Sequence, residues 1–396
     1  MGTGAFKFVE YVKGDRIVYD RNPNYWRAGK PYMDRLIMKI IPKEETAVAA
    51  MLKGEVDMMG YWTSPAAFNT LKQSPDINVE RAPYAAPSVG FLLFNVDNPI
   101  LKNLKVRQAI AHSVERNKIS EIAREGFSPP AIGPVHEFFK WAFDPEIQPT
   151  YPFDLKKAEQ LLDEAGYPRK EGGIRFKLIL NNLAGMVYNK DGEMIKDRLK
   201  DIGVEIDHRI LSNPTADELL FLKRDFDLAV RMFTQGPDPS ITLGVMYHSK
   251  QVGAGTYTNC MGYKSSEADS VLEQAQVETD AAKRRQLMRD WQQIVLRDLP
   301  CYPLTFEYYG IPSRKEWVGI PSNPWRVMTM FAENMWWTKG TLIEAPTTTT
   351  TTPTTTKPSP PPAAPDLTLM IGVAIAVVLA GAIVTYSMRR KSAKKT

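Results

Sequence analysis

Residues 226–249 read FDLAVRMFTQGPDPSITLGVMYHS, and this stretch decides the fold. Leu228, Val230 and Met232 alternate with their neighbours, Gln235-Gly236-Pro237-Asp238-Pro239 breaks the alternation, and residues 241–247 resume an apolar pattern at helical spacing. The reading is strand, loop, helix. Two prolines fix φ within the loop, and Asp238 or Ser240 is placed to cap the helix that follows. Such a loop is stiff and presents polar groups at the end of a sheet.

Working outward, the neighbouring segments repeat the same grammar. Residues 155–165 predict a helix with Asp154 as its cap and Gly166 as its stop, and Ile174, Phe176, Leu178 and Leu180 alternate as a strand. A helix at 192–202 stops at Gly203, after which Val204, Ile206, His208 and Ile210 alternate again. Helices at 266–276 and 281–299 lead to a strand at 301–311. Helices and strands taken in turn give an α/β layer architecture. His208 lies on the apolar side of its strand and reads as a hydrogen-bonded core residue.

Nearer the start, residues 5–19 alternate around Lys13-Gly14-Asp15, which predicts a β-hairpin. A strand at 37–41, a helix at 44–52 stopped by Gly54 and a strand at 55–59 follow. Val106, Ala109, Ile110, Ser113 and Val114 stripe one face of a helix, and Arg107 reads as a structural partner of that packing. Trp317, Trp325, Trp336 and Trp337 crowd the closing segment, where core and interface packing is the expected role and cleft lining the alternative.

Composition removes several functions. The formal charge of the 396 residues is +5, and Arg389, Arg390, Lys391, Lys394 and Lys395 account for all of it, so the basic character belongs to a tail and no nucleic-acid-binding face is implied. His112, His136, His208 and His248 are far apart, with no metal-ligand spacing and no cofactor fingerprint beside them. No Gly-x-Ser-x-Gly elbow is present, so a surface hydrolase is disfavoured and no catalytic residue is assigned. Cys260 and Cys301 can pair only if their Cα atoms come within about 7 Å, and the sequence leaves linked and unlinked thiols open.

Four motifs in order, Gly2-Thr3-Gly4-Ala5-Phe6, Arg21-Asn22-Pro23-Asn24-Tyr25-Trp26, Pro31-Tyr32-Met33-Asp34-Arg35 and Gly54-Glu55-Val56-Asp57, resemble the middle of a family 5 (dipeptide/oligopeptide-type) solute-binding protein of ABC importers. Phe91-Leu92-Leu93-Phe94-Asn95, then Leu104 to Ala111 with Glu115-Arg116, resembles that family's entry into its C-terminal lobe. The loop after Phe226 resembles its ligand loop. The resemblance covers Gly2 to about Gly340. It implies an α/β two-lobe clamp of the periplasmic-binding-protein type, with residues 1–94 and 305–342 in lobe one and 95–304 forming the other lobe. It also implies permease subunits as partners, no enzymatic activity, and ligand contacts from Phe233, Thr234, Gln235 and Asp238. Peptide-binding relatives carry an Asp shortly before the Pro of this loop. That place falls on Gln235 here, or on Gly236 with a one-residue gap, so oligosaccharide stands beside peptide as the expected solute. A non-transporting surface sensor on the same fold is the remaining alternative.

Residues 343–366 contain a Thr/Pro tract that predicts an extended linker, on the order of 60 Å at full reach. Residues 367–388 contain an apolar run of about 20 residues, long enough for a membrane-spanning helix. The basic residues of 389–396 follow it and place the C-terminus in the cytoplasm and the domain outside. Residues 1–30 hold no leader pattern, and the family has further chain before its Gly-Thr-Gly motif. The expectation is an N-terminally truncated copy with lobe one incomplete and ligand binding weak or absent.

Overall fold

The computed structural model describes residues 2–59, 63–184, 188–319 and 335–337. Gly14 at φ +77° makes the turn between β1 (Phe6–Val12) and β2 (Arg16–Arg21), a conformation glycine adopts without steric cost. Both strands pair antiparallel, with a register shift between Phe8 and Glu10, and β3 (Arg35–Lys39) completes a three-stranded sheet in the order β1-β2-β3. Helices α1 (Glu44–Leu52) and α2 (Pro65–Lys72) follow, and Ser64 caps α2 by accepting a hydrogen bond from the Ala67 amide at 3.2 Å. Met51, Met59, Leu71 and Ile77 form a small core there.

The strand expected at residues 55–59 does not form. Gly54 at φ +75° turns the chain just before it, and only Met58 makes an isolated antiparallel bridge, to Ser313. A single bridge cannot sustain a ladder.

Beyond this point the α/β pattern is realised. In chain order come β4 (Ile77–Phe94), α3 (Leu104–Ser113), α4 (Arg116–Lys118), α5 (Leu155–Glu164), β5 (Phe176–Leu183), α6 (Tyr188–Asp201), β6 (Val204–Leu211) and α7 (Asn213–Asp217). They are followed by β7 (Leu228–Thr234), α8 (Pro239–Tyr247), α9 (Ser266–Val277), α10 (Ala281–Asp298), β8 (Cys301–Arg314), β9 (Trp317–Val318) and β10 (Trp336–Trp337). Asp154 caps α5 through Lys157 N at 2.9 Å, and α6 begins a turn earlier than the expected residue 192.

The main sheet has five strands in the order β6-β5-β7-β4-β8, with β5 parallel to β6 and β7, and β4 antiparallel to β7 and β8. Period-two alternation sends Leu178, Leu180, Leu228, Val230 and Leu92 to a core that includes α3, α5 and α6 residues. It sends Ala229, Phe91 and Leu93 to a second core with Tyr247, Leu272 and Trp291 from α8, α9 and α10. Full burial of each such side chain is worth about 1.5–3 kcal/mol, so a sheet packed on both faces is a rigid platform. Of the two places where the lobes were expected to join, 94/95 falls at the end of β4, whereas 304/305 lies inside β8.

Arg107 is structural, as expected. Buried on α3, it donates to the carbonyls of Leu101 (2.6 Å), Lys102 (3.0 Å), Asp298 (2.7 Å) and Leu299 (2.9 Å), fixing the end of α10. Burial pulls its pKa down to about 10, and the Asp298 charge works against that. Cys260 and Cys301 are free and buried, with the Cys301 sulfur 2.9 Å from the Tyr247 hydroxyl. Burial pushes the Cys260 thiol up to about 12.

Among the described residues no helix is long and apolar enough to cross a membrane. The Thr/Pro tract, the apolar run of residues 367–388, the basic tail and Trp325 lie outside the described residues.

Candidate functional site

From β5 the chain crosses through α6 to β6 on one side, then returns through α7 to β7 on the other side of β5. The strand order therefore reverses between β5 and β7. In α/β sheets the crevice beyond the carboxyl ends of the strands at such a point is where ligands bind. β5 ends at Leu183 and β7 at Thr234, directly before the 235–238 loop, so the loop singled out by sequence borders this crevice.

The four expected contact residues take different places. Phe233 is half-buried, edge-on to Phe91 (centroids 6.2 Å) and Phe221 (6.4 Å). Thr234 is exposed, its hydroxyl 3.1 Å from that of Ser88. Gln235 is 0% exposed: its amide nitrogen donates to the Pro134 carbonyl, and its amide oxygen accepts from His136 N at 3.0 Å. Asp238 caps α8 by accepting from Ser240 N (2.9 Å) and Ser240 Oγ (2.7 Å), and it pairs with Arg284, whose guanidinium stacks 4.6 Å over Trp141. Burial works to raise the Asp238 carboxyl, but the hydrogen bonds from Arg284 and Ser240 outweigh it and leave the pKa below the usual carboxylate value. Phe233 and Thr234 thus stand at the sheet end, while Gln235 and Asp238 hold the loop that presents them.

Sequence reasoning missed a buried ionic cluster next to this end. Thr234 of β7 pairs with Ser88 of β4, which pairs with Glu307 of β8. Glu307 accepts from Thr305 Oγ1 (2.6 Å) and from Arg124 (3.1 and 3.2 Å), and Arg124 also grips both oxygens of Asp191 on α6 (2.7 and 2.8 Å). All three side chains are 2% exposed or less. Burial pushes Asp191 up even against the Arg124 charge. Gly90 keeps the cluster tight, since a Cβ there would lie 2.8 Å from Glu307 Oε1.

A second polar group lies on the opposite face of the same sheet end. Arg231 of β7 pairs with Asp217 of α7, Tyr257 donates to the other Asp217 oxygen at 3.0 Å, and the Arg231 guanidinium lies 5.9 Å from the Phe221 ring centre. Arg231 Nη1 and both amide atoms of Asn181 on β5 are sealed from solvent without a hydrogen-bond partner. On the first face, His208 Nε2 is likewise without one, so the expected hydrogen bond at that atom is not made, and burial lowers the His208 pKa. Gly192 packs close to it: a Cβ there would meet His208 Nε2 at 2.5 Å. Among the described residues no three His, Cys, Asp or Glu side chains converge to hold a metal ion.

A rigid sheet reversing its strand order beside a stiff polar loop defines an α/β binding-protein fold of the periplasmic type. Residues 1–254 match the family described as bacterial extracellular solute-binding proteins, family 5 middle, and the chain belongs to that family. It is 28% identical over 323 residues to the oligopeptide-binding protein AppA of Bacillus subtilis, covering 78% of this chain and 56% of that protein. Among solved structures it is similar to the periplasmic binding protein DppA of Helicobacter pylori in complex with the peptide STSA. There the TM-score is 0.73 and the identity 26%, over 85% of this chain and 63% of that one. It is also similar to the dipeptide-binding protein of Pseudoalteromonas sp. SM9913 in complex with Met-Leu. That match has a TM-score of 0.71 and 26% identity, over 85% of this chain and 64% of that one. The chain spans little more than half the length of the curated relatives it matches.

Proposed function

We propose that this chain is the solute-capturing component of an ABC importer, which takes a di- or oligopeptide from outside the cell between two lobes and delivers it to permease subunits. The observation that carries the reading is the reversal of strand order between β5 and β7, at whose carboxyl ends stand Phe233, Thr234 and the loop that Gln235 and Asp238 hold in place. Phe233 supplies flat apolar contact and Thr234 a hydroxyl, while ligand-driven closure shifts an existing equilibrium between open and closed lobes. Residues 95–304 form one lobe in this reading, and 1–94 with 305–342 contribute to the other. No covalent bond is made or broken. The Thr/Pro tract, the apolar run and the basic tail support a tether in the cytoplasmic membrane with the C-terminus inside.

Oligosaccharide is kept as a second reading on a specific observation. In the 235–239 loop the only carboxylate is Asp238, and Ser240 and Arg284 already occupy it. No loop carboxylate is left over to hold a peptide ammonium. Calorimetric titration with a dipeptide panel and an oligosaccharide panel decides between the two. Peptide binding that is weak in this chain and weaker still when Phe233→Ala is introduced is the expected result, and binding confined to sugars would overturn the peptide reading.

A further inference from the structure

Asn181 and Arg231 lie on the same face of neighbouring parallel strands. Asn181 pairs in register with Ala229, and Arg231 is the next residue of β7 on that face. Helix α7 packs against β5, and its Asp217 holds Arg231 through Nη2. That ion pair neutralises the guanidinium, the Tyr257 hydroxyl lies within interacting reach of it, and Nη1 itself makes no hydrogen bond of good geometry. Asn181 is 5% exposed and Arg231 8%, and the Asn181 amide contributes one further unpartnered donor and one unpartnered acceptor. Leaving buried polar atoms unsatisfied costs about 1–3 kcal/mol each, so a fold retains three together only where something else completes them.

The surroundings point to a ligand. Phe221 covers the Arg231 guanidinium and also packs edge-on against Phe233, which borders the crevice. Tyr257 closes the outer side with its ring 5.1 Å from Phe221, its hydroxyl on Asp217 and its backbone at φ +63°. A non-glycine residue held there is strained, and such strain gathers at binding sites.

We infer that Asn181 and Arg231 form a subsite of the crevice that takes an uncharged group able both to donate and to accept a hydrogen bond, a carboxamide or a hydroxyl of the bound solute. A carboxylate fits worse. It satisfies the two donors but sets a negative oxygen against the Asn181 carbonyl, and Asp217 has already cancelled the Arg231 charge. This inference rests on the solute-binding reading, and its test separates the two.

The first arm needs no ligand. Asn181→Leu replaces an unsatisfied amide with an apolar side chain of the same shape, so the unfolding midpoint of the full chain rises. A midpoint that falls shows that the amide is satisfied within the protein or by a structural water, and overturns the subsite. The second arm titrates the full chain, at up to millimolar ligand, with the tripeptides Ala-Gln-Ala and Ala-Glu-Ala and with maltose. The subsite requires a neutral ligand to bind about tenfold more tightly than Ala-Glu-Ala, the worth of one hydrogen bond. It also requires Arg231→Lys, which keeps a cation for Asp217 but lacks Nη1, to erase that preference. Equal affinities, or a preference that survives Arg231→Lys, overturn the subsite and leave the solute-binding reading intact. If none of the three ligands binds, the solute-binding reading fails for these classes, and the stability arm alone decides the subsite.

Discussion

Replacing Gln235 with leucine tests how the loop is held. The side chain is fully buried and joins β7 to the 134–136 segment by two hydrogen bonds, one donated to Pro134 O and one accepted from His136 N. Leucine fills similar space but strands the buried carbonyl and N–H, at about 1–3 kcal/mol each, so the expected loss is about 3 kcal/mol in total. The backbone bond from Gln235 N to Pro87 O (2.7 Å) is untouched, so β7 itself stays in register. At about 2 °C per kcal/mol for a unit of this size, the thermal midpoint drops by roughly 6 °C. Urea unfolding read by tryptophan fluorescence gives the free energy directly, with an unchanged m-value expected for a local loss. Solute affinity falls as well, because Thr234 and Phe233 lose a fixed loop beside them. A destabilisation below about 1 kcal/mol would refute the claim that the amide bridges these segments. A normal loss of stability with unchanged affinity would place the loop away from the ligand.

Three further outcomes follow from the same geometry. Arg107→Met strips four carbonyls of their charged donor and lowers stability by about 3–5 kcal/mol in denaturant titration. The Asp238 carboxyl has a lowered folded pKa, so its stabilising contribution is present above the unfolded value and is lost as pH falls through the folded one. The stability gap between wild type and Asp238→Asn therefore narrows in an acid titration as the pH falls below the ordinary carboxylate range. Cys260 and Cys301, buried with raised pKa values, react with a thiol reagent only after unfolding, and rapid modification of the native protein would contradict their placement.

How much was legible beforehand differs by the range of the interaction. The strand, stiff loop and helix of residues 226–249 were readable because alternation, two prolines and an Asp cap are local signals, and β7, the loop and α8 reproduce them. The Arg107 role and the Asp154 cap were readable for the same reason. Residues 55–59 misled because a Gly-bounded alternation of charged and apolar residues resembles a strand, whereas a strand exists only where a neighbour pairs along it. The Arg124 cluster was invisible: its partners lie 67 and 183 residues away, and no spacing rule links them. Asn181 and Arg231 come to the same face only through the parallel pairing of β5 with β7. Gln235 carried the right address, at the sheet end, but its complete burial became apparent only from the fold.

The central claim is that solute is held beyond the carboxyl ends of β5 and β7. Amide hydrogen exchange of the full chain, with and without the tightest solute found in the titrations, tests it most directly. The account predicts ligand-dependent protection in segments 181–184 and 231–238. A groove of about 300 Å³ between the Val114–Ile122 stretch and Met194–Arg198 of α6 offers the natural rival location. Protection confined to that groove, with exchange at 231–238 unchanged, would contradict the account.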